Sequence, residues 1–116
     1  MGDKLKSVFQ DKPMADQIIS SLTYSIPINI GDFEGGFACQ IVWSEGSSVD
    51  MKTSIECSLD KRNWTEMSNS EITITGNTGI QMYDVTETMV QFIRVKISPV
   101  SGSAKFNIHM NGKARV

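Results

Sequence analysis

Few side chains of this 116-residue chain combine a reactive group with a neighbour that could activate it. His109 is the single histidine, and it alternates with Ile108 and Met110, which places it on the polar side of a strand. No nucleophile or carboxylate is placed beside it by spacing, so we predict a surface side chain rather than a general base. The sequence supplies no catalytic residue, and we expect that the protein is not an enzyme.

The two cysteines, Cys39 and Cys57, stand at apolar alternate positions, where burial disfavours a thiolate. The amino terminus lacks the apolar stretch of a secretion signal, which favours free thiols over a structural disulfide. The clustered Cys and His spacing of a zinc site is also missing. We therefore expect two buried thiols that act neither as nucleophiles nor as metal ligands.

Several acidic residues fall in or beside loops, where they could stabilise turns or collect a calcium ion. These residues are Asp32, Glu34, Glu45, Asp50 and Asp60. The alternating Asp-x-Asp-x-Asp-Gly pattern of a calcium loop is missing, which favours the role in turns. No glycine-rich loop connects a strand to a helix as in phosphate-binding sites, so we expect neither a metal nor a cofactor.

Composition indicates one soluble globular domain. Hydrophobic residues make up 40% and charged residues 21% of the chain, and no apolar run approaches the roughly 18 residues of a membrane span. Eleven basic and thirteen acidic side chains give a net charge of -2, which is too balanced for binding to a phosphate backbone. Nucleic acid and membrane are therefore not expected as partners.

From residue 26 onward, apolar and polar residues alternate with the period of a half-buried strand. Ile26, Ile28 and Ile30 form a first strand, which Pro27 restricts to a sheet edge. Two further alternating runs, 37–43 and 53–59, flank the polar loop 45–50 and are predicted to pair as a hairpin. The predicted facing pairs are Trp43 with Thr53, Ile41 with Ile55, Cys39 with Cys57, and Phe37 with Leu59.

The second half continues the pattern, with turn residues at 60–63, 76–79 and 98–103. The alternating apolar residues are Ile72, Ile74, Ile80, Met82, Ile93, Val95, Ile97, Phe106, Ile108 and Met110. Seven or eight short strands with regularly spaced turns predict an all-β fold, an antiparallel β-sandwich of immunoglobulin-like or jelly-roll-like type, with a barrel as the alternative. Met14–Leu22 is the one segment with helical spacing, and we expect at most a short helical turn there.

Residues 1–17 show no clean period and are predicted to be an N-terminal arm preceding a sandwich domain of residues 18–116. Val8 and Phe9 stand among the charged residues of this arm. We expect the arm to become ordered only against a neighbouring subunit. Val90 and Phe92 stand at the alternate positions of their strand that are otherwise polar. Hydrophobic side chains at such positions indicate either contact with a second sheet or an interface. Val8, Phe9, Val90 and Phe92 are therefore the predicted interface residues.

An ordered series of motifs runs from about Ile18 to Lys113. It consists of an early Ile-rich edge strand, Phe-x-x-Gln-Ile-Val-Trp (37–43), Ser-x-Asp-x-x-x-Trp (58–64), Phe-Ile-Arg-Val-Lys (92–96), Ser-Gly-Ser (101–103) and Asn-Gly-Lys (111–113). This series resembles small β-sandwich domains of virion structural proteins from tailed bacteriophages. The resemblance implies a non-enzymatic component of the virion, made in the host cytoplasm.

Such a component would contact phage capsid or tail proteins as a head decoration or cement protein, a head-fibre base or a tail module. It also implies a homo-oligomer, with a trimer among the options. The alternative is a carbohydrate-binding or receptor-binding module of a tail or fibre. Trp64 is then the predicted ligand platform, because Trp43 alternates with the residues that face away from the core and is expected to be buried.

Overall fold

The computed structural model describes the backbone of residues 6–86 and 88–115, and the side chains of residues 10–33, 35–86 and 88–113. The described chain forms eight antiparallel strands and no helix, which confirms the all-β prediction. The strands are β1 (Lys6–Ile19), β2 (Thr23–Tyr24), β3 (Ile28–Asn29), β4 (Phe33–Ser58), β5 (Thr65–Glu66), β6 (Ile72–Thr75), β7 (Gly79–Val85) and β8 (Phe92–Arg115).

Four ribbons of chain carry these strands side by side: residues 6–29, 33–58, 72–85 and 92–115. Strand β8 lies between β4 on one side and β1, β2 and β3 on the other. Strand β4 pairs on its second side with β5, β6 and β7. Strands β4 and β8, with 26 and 24 residues, are much longer than the short strands that the sequence pattern predicts.

Each ribbon crosses midway from one layer of the molecule to the other. We call β1, β7, residues 33–44 of β4 and residues 104–115 of β8 the first layer, and the remaining strand segments the second layer. At the crossing, Glu45, Ser48 and Gly102 have φ values of 52°, 52° and 83°. A Cβ atom on Gly102 would collide with the carbonyl oxygen of Ser48, so glycine is required at this position.

The two layers face each other across one hydrophobic core. The hydroxyl of Tyr83 in the first layer lies 2.8 Å from the hydroxyl of Thr53 in the second. Trp43 stacks on Phe106, and its indole N–H donates to the carbonyl of Gly76. Among the fully buried side chains are Ile41, Met51, Ile55, Val95, Ile97, Phe106 and Ile108. This arrangement confirms the sandwich prediction.

The predicted hairpin of residues 37–43 and 53–59 is wrong. The two segments are opposite halves of β4, and each pairs with a different half of β8. Cys39 therefore pairs with Met110 and Cys57 with Ile93, so the two thiols do not lie side by side. Leu59, predicted to face the core, is 73% exposed because β4 ends at Ser58.

The segment Met14–Leu22, for which we expect at most a short helical turn, contains no helix. Strand β1 runs through Ile19, and Met14 and Ile19 are buried in the core. From Lys6 onward, the predicted arm forms the edge strand of the first layer, with register shifts on either side of Met14. Residues 1–5 lie outside the described part, and ordering of the arm by a neighbouring subunit stays a prediction.

Candidate functional site

The outer face of the second layer carries the most organised group of polar and aromatic side chains. Along β8, Ile93 and Val95 point into the core, so the alternating Arg94 points outward. Arg94 stands opposite Glu56 on β4, and Tyr24 on β2 pairs with the position two residues further along β8. Three distant parts of the sequence therefore meet at Arg94.

The guanidinium of Arg94 is held between two aromatic rings. Its central carbon lies 3.9 Å from the ring centroid of Tyr24 and 4.2 Å from that of Trp64. Its Nη2 and Nε atoms lie 2.7 and 2.8 Å from the same carboxylate oxygen of Glu56. The side chains of Arg94 and Glu56 are 20% and 12% exposed. We call Tyr24, Glu56, Trp64 and Arg94 the Arg94 cluster.

A tight polar turn brings Trp64 to this cluster. The Asp60 carboxylate accepts hydrogen bonds from the backbone N–H groups of Arg62 and Asn63, at 2.9 and 2.8 Å. It also accepts bonds from the Asn63 amide and the Ser58 hydroxyl. These bonds, led by that from the Asn63 backbone, hold the pKa of Asp60 far below its ordinary value. The turn reverses the chain directly after β4, so that Trp64 lies over the sheet.

The predicted interface residues do not all come together. Phe92 points outward two residues from Arg94, is half-buried, and has the Lys61 ammonium 5.8 Å from its ring centroid. Val90 is half-buried and packs against the core. Val8 and Phe9 pair through their backbone with Lys113 and Gly112 in the first layer, and their side chains lie outside the described part. Phe92 thus borders the Arg94 cluster, whereas the backbone of Val8 and Phe9 belongs to the other layer.

The predicted ligand platform, Trp64, does belong to the cluster. It is half-buried, and the Arg94 guanidinium occupies one face of its indole. A sugar ring could not stack on that face without displacing Arg94.

The reactive side chains considered from the sequence are dispersed. His109 is exposed and pairs with Gln40 in the first layer, as predicted for a surface residue. Burial raises the pKa of the Cys39 thiol to about 12, and burial together with the charge of Glu56 raises that of Cys57. In the part of the chain that the structure describes, no three His, Cys, Asp or Glu residues come together as a metal site, and no helix has the length and hydrophobicity to cross a membrane.

Sequence reasoning missed Tyr24, Glu56 and Arg94 as site residues. Glu56 and Arg94 could have been noticed because they alternate with apolar core residues and therefore face outward from the sheet. The alternation alone does not show which outward residues are neighbours; the observed register does, because it places Glu56 opposite Arg94.

No family model and no curated protein matches this sequence. Solved structures do match the fold. The SPBc2 prophage-derived protein YomS has a TM-score of 0.60 at 9% identity, with 98% of this chain and 99% of that chain covered. The VP2 subviral particle of infectious bursal disease virus has a TM-score of 0.65 at 10% identity, with 95% of this chain and 33% of that chain covered.

A third match is dimeric latent PorU from Porphyromonas gingivalis, with a TM-score of 0.51 at 9% identity; 99% of this chain and 13% of that chain are covered. The chain thus corresponds to nearly the whole of YomS, a third of VP2 and a small part of PorU. At these identities the likeness establishes the fold alone.

Proposed function

We propose that this chain is a non-enzymatic structural protein of a phage virion that attaches to a capsid through the outer face of its second layer. The proposal rests chiefly on the Arg94 cluster, in which an arginine is fixed between two aromatic rings and a carboxylate. Trp, Tyr and Arg are the residue types most enriched among binding hot spots. Because the four side chains already contact one another, binding a partner should cost little further side-chain entropy.

Two further observations support a virion role. The series of sequence motifs resembles virion structural proteins of tailed phages, and it does so independently of the structure. Among the solved structures with this fold are a prophage-derived protein and a viral protein that forms a subviral particle. Attachment through one face of the sheet suits a protein that binds a large capsid surface, so we propose a role as a head decoration protein, a cement protein or a head-fibre base.

Co-sedimentation with purified heads and, separately, purified tails of the encoding phage tests the proposal. We expect the protein to sediment with heads. Trp64→Ala and Phe92→Ala should each weaken binding at least about tenfold, the change expected on removing a contact worth about 1.4 kcal/mol. His109→Ala, on the outer face of the first layer, is the matched control and should bind like the unaltered protein.

Each other outcome has a definite meaning. Binding to tails alone would refute the head attachment. Binding that survives both substitutions would refute the role of the Arg94 cluster. Specific glycan-array signals that disappear with Trp64→Ala, together with no sedimentation, would refute the protein-contact proposal in favour of a carbohydrate-binding module.

A further inference from the structure

Strand β7 is an open edge of the first layer. Its seven residues, Gly79–Val85, pair with β4 in an unbroken register, and β4 is its sole partner among the described strands. The other side of β7 therefore presents a row of backbone N–H and C=O groups. Such a row is satisfied best by another extended strand.

The opposite edge of the same layer is built differently. Strand β1 contains Pro13, two shifts in register and a positive φ of 46° at Asp16. Proline and bulges are features that prevent a sheet edge from pairing with another molecule. Strand β7 has no proline, no shift in register and no lysine or arginine. The described edge strands of the second layer are much shorter, with two to four residues each.

The outer face beside this edge carries two exposed hydrophobic side chains. Ile80 is 64% exposed and Met82 is 50% exposed, and Val42 pairs with Ile80 on the neighbouring strand. The polar Gln81 and the buried Tyr83 take the inward positions of the same strand. The exposed residues of the open edge are therefore two large hydrophobic side chains and, at one end of the strand, the carboxylate of Asp84.

We propose that a second copy of this chain pairs with this edge, β7 against β7, in antiparallel register around a twofold axis at Gln81. Each Ile80 then stands opposite the partner's Met82 on the outer face, so the apolar pair forms twice. Tyr83 faces the partner's Gly79, and Asp84 faces the partner's Thr78, so no two carboxylates meet. This inference does not depend on the proposed virion role.

The choice of register follows from side-chain parity and charge. A twofold axis perpendicular to the sheet keeps outer faces aligned only when opposing residues have the same parity. Two neighbouring registers meet this condition: one centred on Met82 would place the apolar Ile80 opposite the charged Asp84 of the partner, and one centred on Ile80 would place Met82 opposite the partner's polar Thr78. The register centred on Gln81 keeps apolar residues opposite apolar ones, which favours it.

Sedimentation velocity of the free protein, from about 1 µM to about 1 mM, tests the proposal. We expect a monomer–dimer equilibrium. Ile80→Lys should raise the dissociation constant of the dimer at least about tenfold, because it removes both apolar pairs and charges the edge. Ile18→Lys is the matched control: Ile18 is 74% exposed on β1, at the opposite edge of the same layer, and its substitution should leave the dimer intact.

A second variant tests the register. Gln81→Cys, treated with a short bis-maleimide, should yield a covalent dimer, whereas Gln17→Cys on β1 should not. A monomer at every concentration would overturn the proposal. Equal weakening by Ile18→Lys and Ile80→Lys, crosslinking at position 17 instead of 81, or a trimer would do so as well. Circular dichroism would confirm that each variant is folded, which is expected because all the altered side chains lie at the surface or at an edge.

Discussion

Replacing Arg94 with methionine should destabilise the protein strongly, although the residue lies on an outer face. Methionine keeps a long apolar side chain but removes the charge that pairs with Glu56. That carboxylate belongs to a side chain only 12% exposed, so it would be left largely desolvated. Removing one partner of a buried ion pair costs about 3–5 kcal/mol, and the partial exposure of Arg94 reduces this to about 2–3 kcal/mol.

Loss of the two ring contacts adds to this cost. Each cation–π contact contributes about 0.5–1 kcal/mol, so the contacts with Tyr24 and Trp64 together contribute about 1–2 kcal/mol. The free energy of unfolding should therefore fall by about 3–5 kcal/mol. Urea unfolding followed by tryptophan fluorescence and by circular dichroism measures this change.

Two further variants separate the contributions. Arg94→Lys keeps the positive charge but loses the planar group that fits between the rings, so its effect should be smaller than that of Arg94→Met. In the double variant Glu56→Gln with Arg94→Met, no carboxylate remains unpaired, and the loss should be smaller than with Arg94→Met alone. A loss below about 0.5 kcal/mol for Arg94→Met, typical of an ordinary surface position, would refute the description of a rigid cluster.

Three other predictions concern the core and the turn. Tyr83→Phe leaves the Thr53 hydroxyl buried without its partner and should cost about 1–3 kcal/mol in urea unfolding. Burial raises the pKa of Tyr83 to about 12, so wild-type stability should fall between pH 10 and 12, where the unfolded state has already lost this proton; Tyr83→Phe should lack that component. Asp60→Ala should lower Tm at pH 7, and the difference from wild type should shrink as pH falls below 3.8, because the pKa of Asp60 is lowered in the folded state. A thiol reagent should modify Cys39 and Cys57 only after denaturation, and a disulfide between them in the folded protein would contradict the observed register.

The sequence predicted which side chains of a strand point into the core, but it did not predict which strands pair. Cys39, Ile41, Ile55 and Val95 are buried as their alternation indicates. The same alternation is compatible with a hairpin of two β4 segments and with the pairing of both segments to one long β8. The polar residues 45–50 are typical of a turn that reverses the chain, yet here they allow a strand to cross between layers. Turn composition does not distinguish a reversal from a crossing, since both need positive φ values.

The alternation of apolar and polar residues predicted burial less well at the edges of the sheet. Ile80 and Met82 alternate as core residues would, but Tyr83 fills the inward position and hydrogen-bonds across the core to Thr53. Ile26 is likewise 67% exposed, because the chain between β2 and β3 is interrupted at Pro27. An edge strand has one neighbour instead of two, so a single large inward residue can determine its orientation.

The candidate site was the least predictable feature. The sequence predicts Trp64 as a ligand platform and Phe92 as an interface residue, but it does not indicate that Arg94 lies against Trp64. The contacts of Arg94 with Tyr24 and Glu56 join positions 70 and 38 residues away in the chain. No local pattern encodes such contacts, which require the correct order of all four ribbons.

The two proposed surfaces together predict bivalent attachment. A twofold axis perpendicular to the first layer keeps the second layers of both copies on the same side, so both Arg94 clusters would face one target surface. Bivalent binding can strengthen attachment by about 10²–10⁴-fold when the geometry matches. Ile80→Lys should therefore weaken sedimentation with heads even though Ile80 lies in the layer opposite the cluster, and chemical crosslinking of Gln81→Cys dimers should preserve tight binding. Unchanged head binding by monomeric Ile80→Lys would show that each copy attaches independently, and would refute the bivalent arrangement while leaving the role of the Arg94 cluster intact.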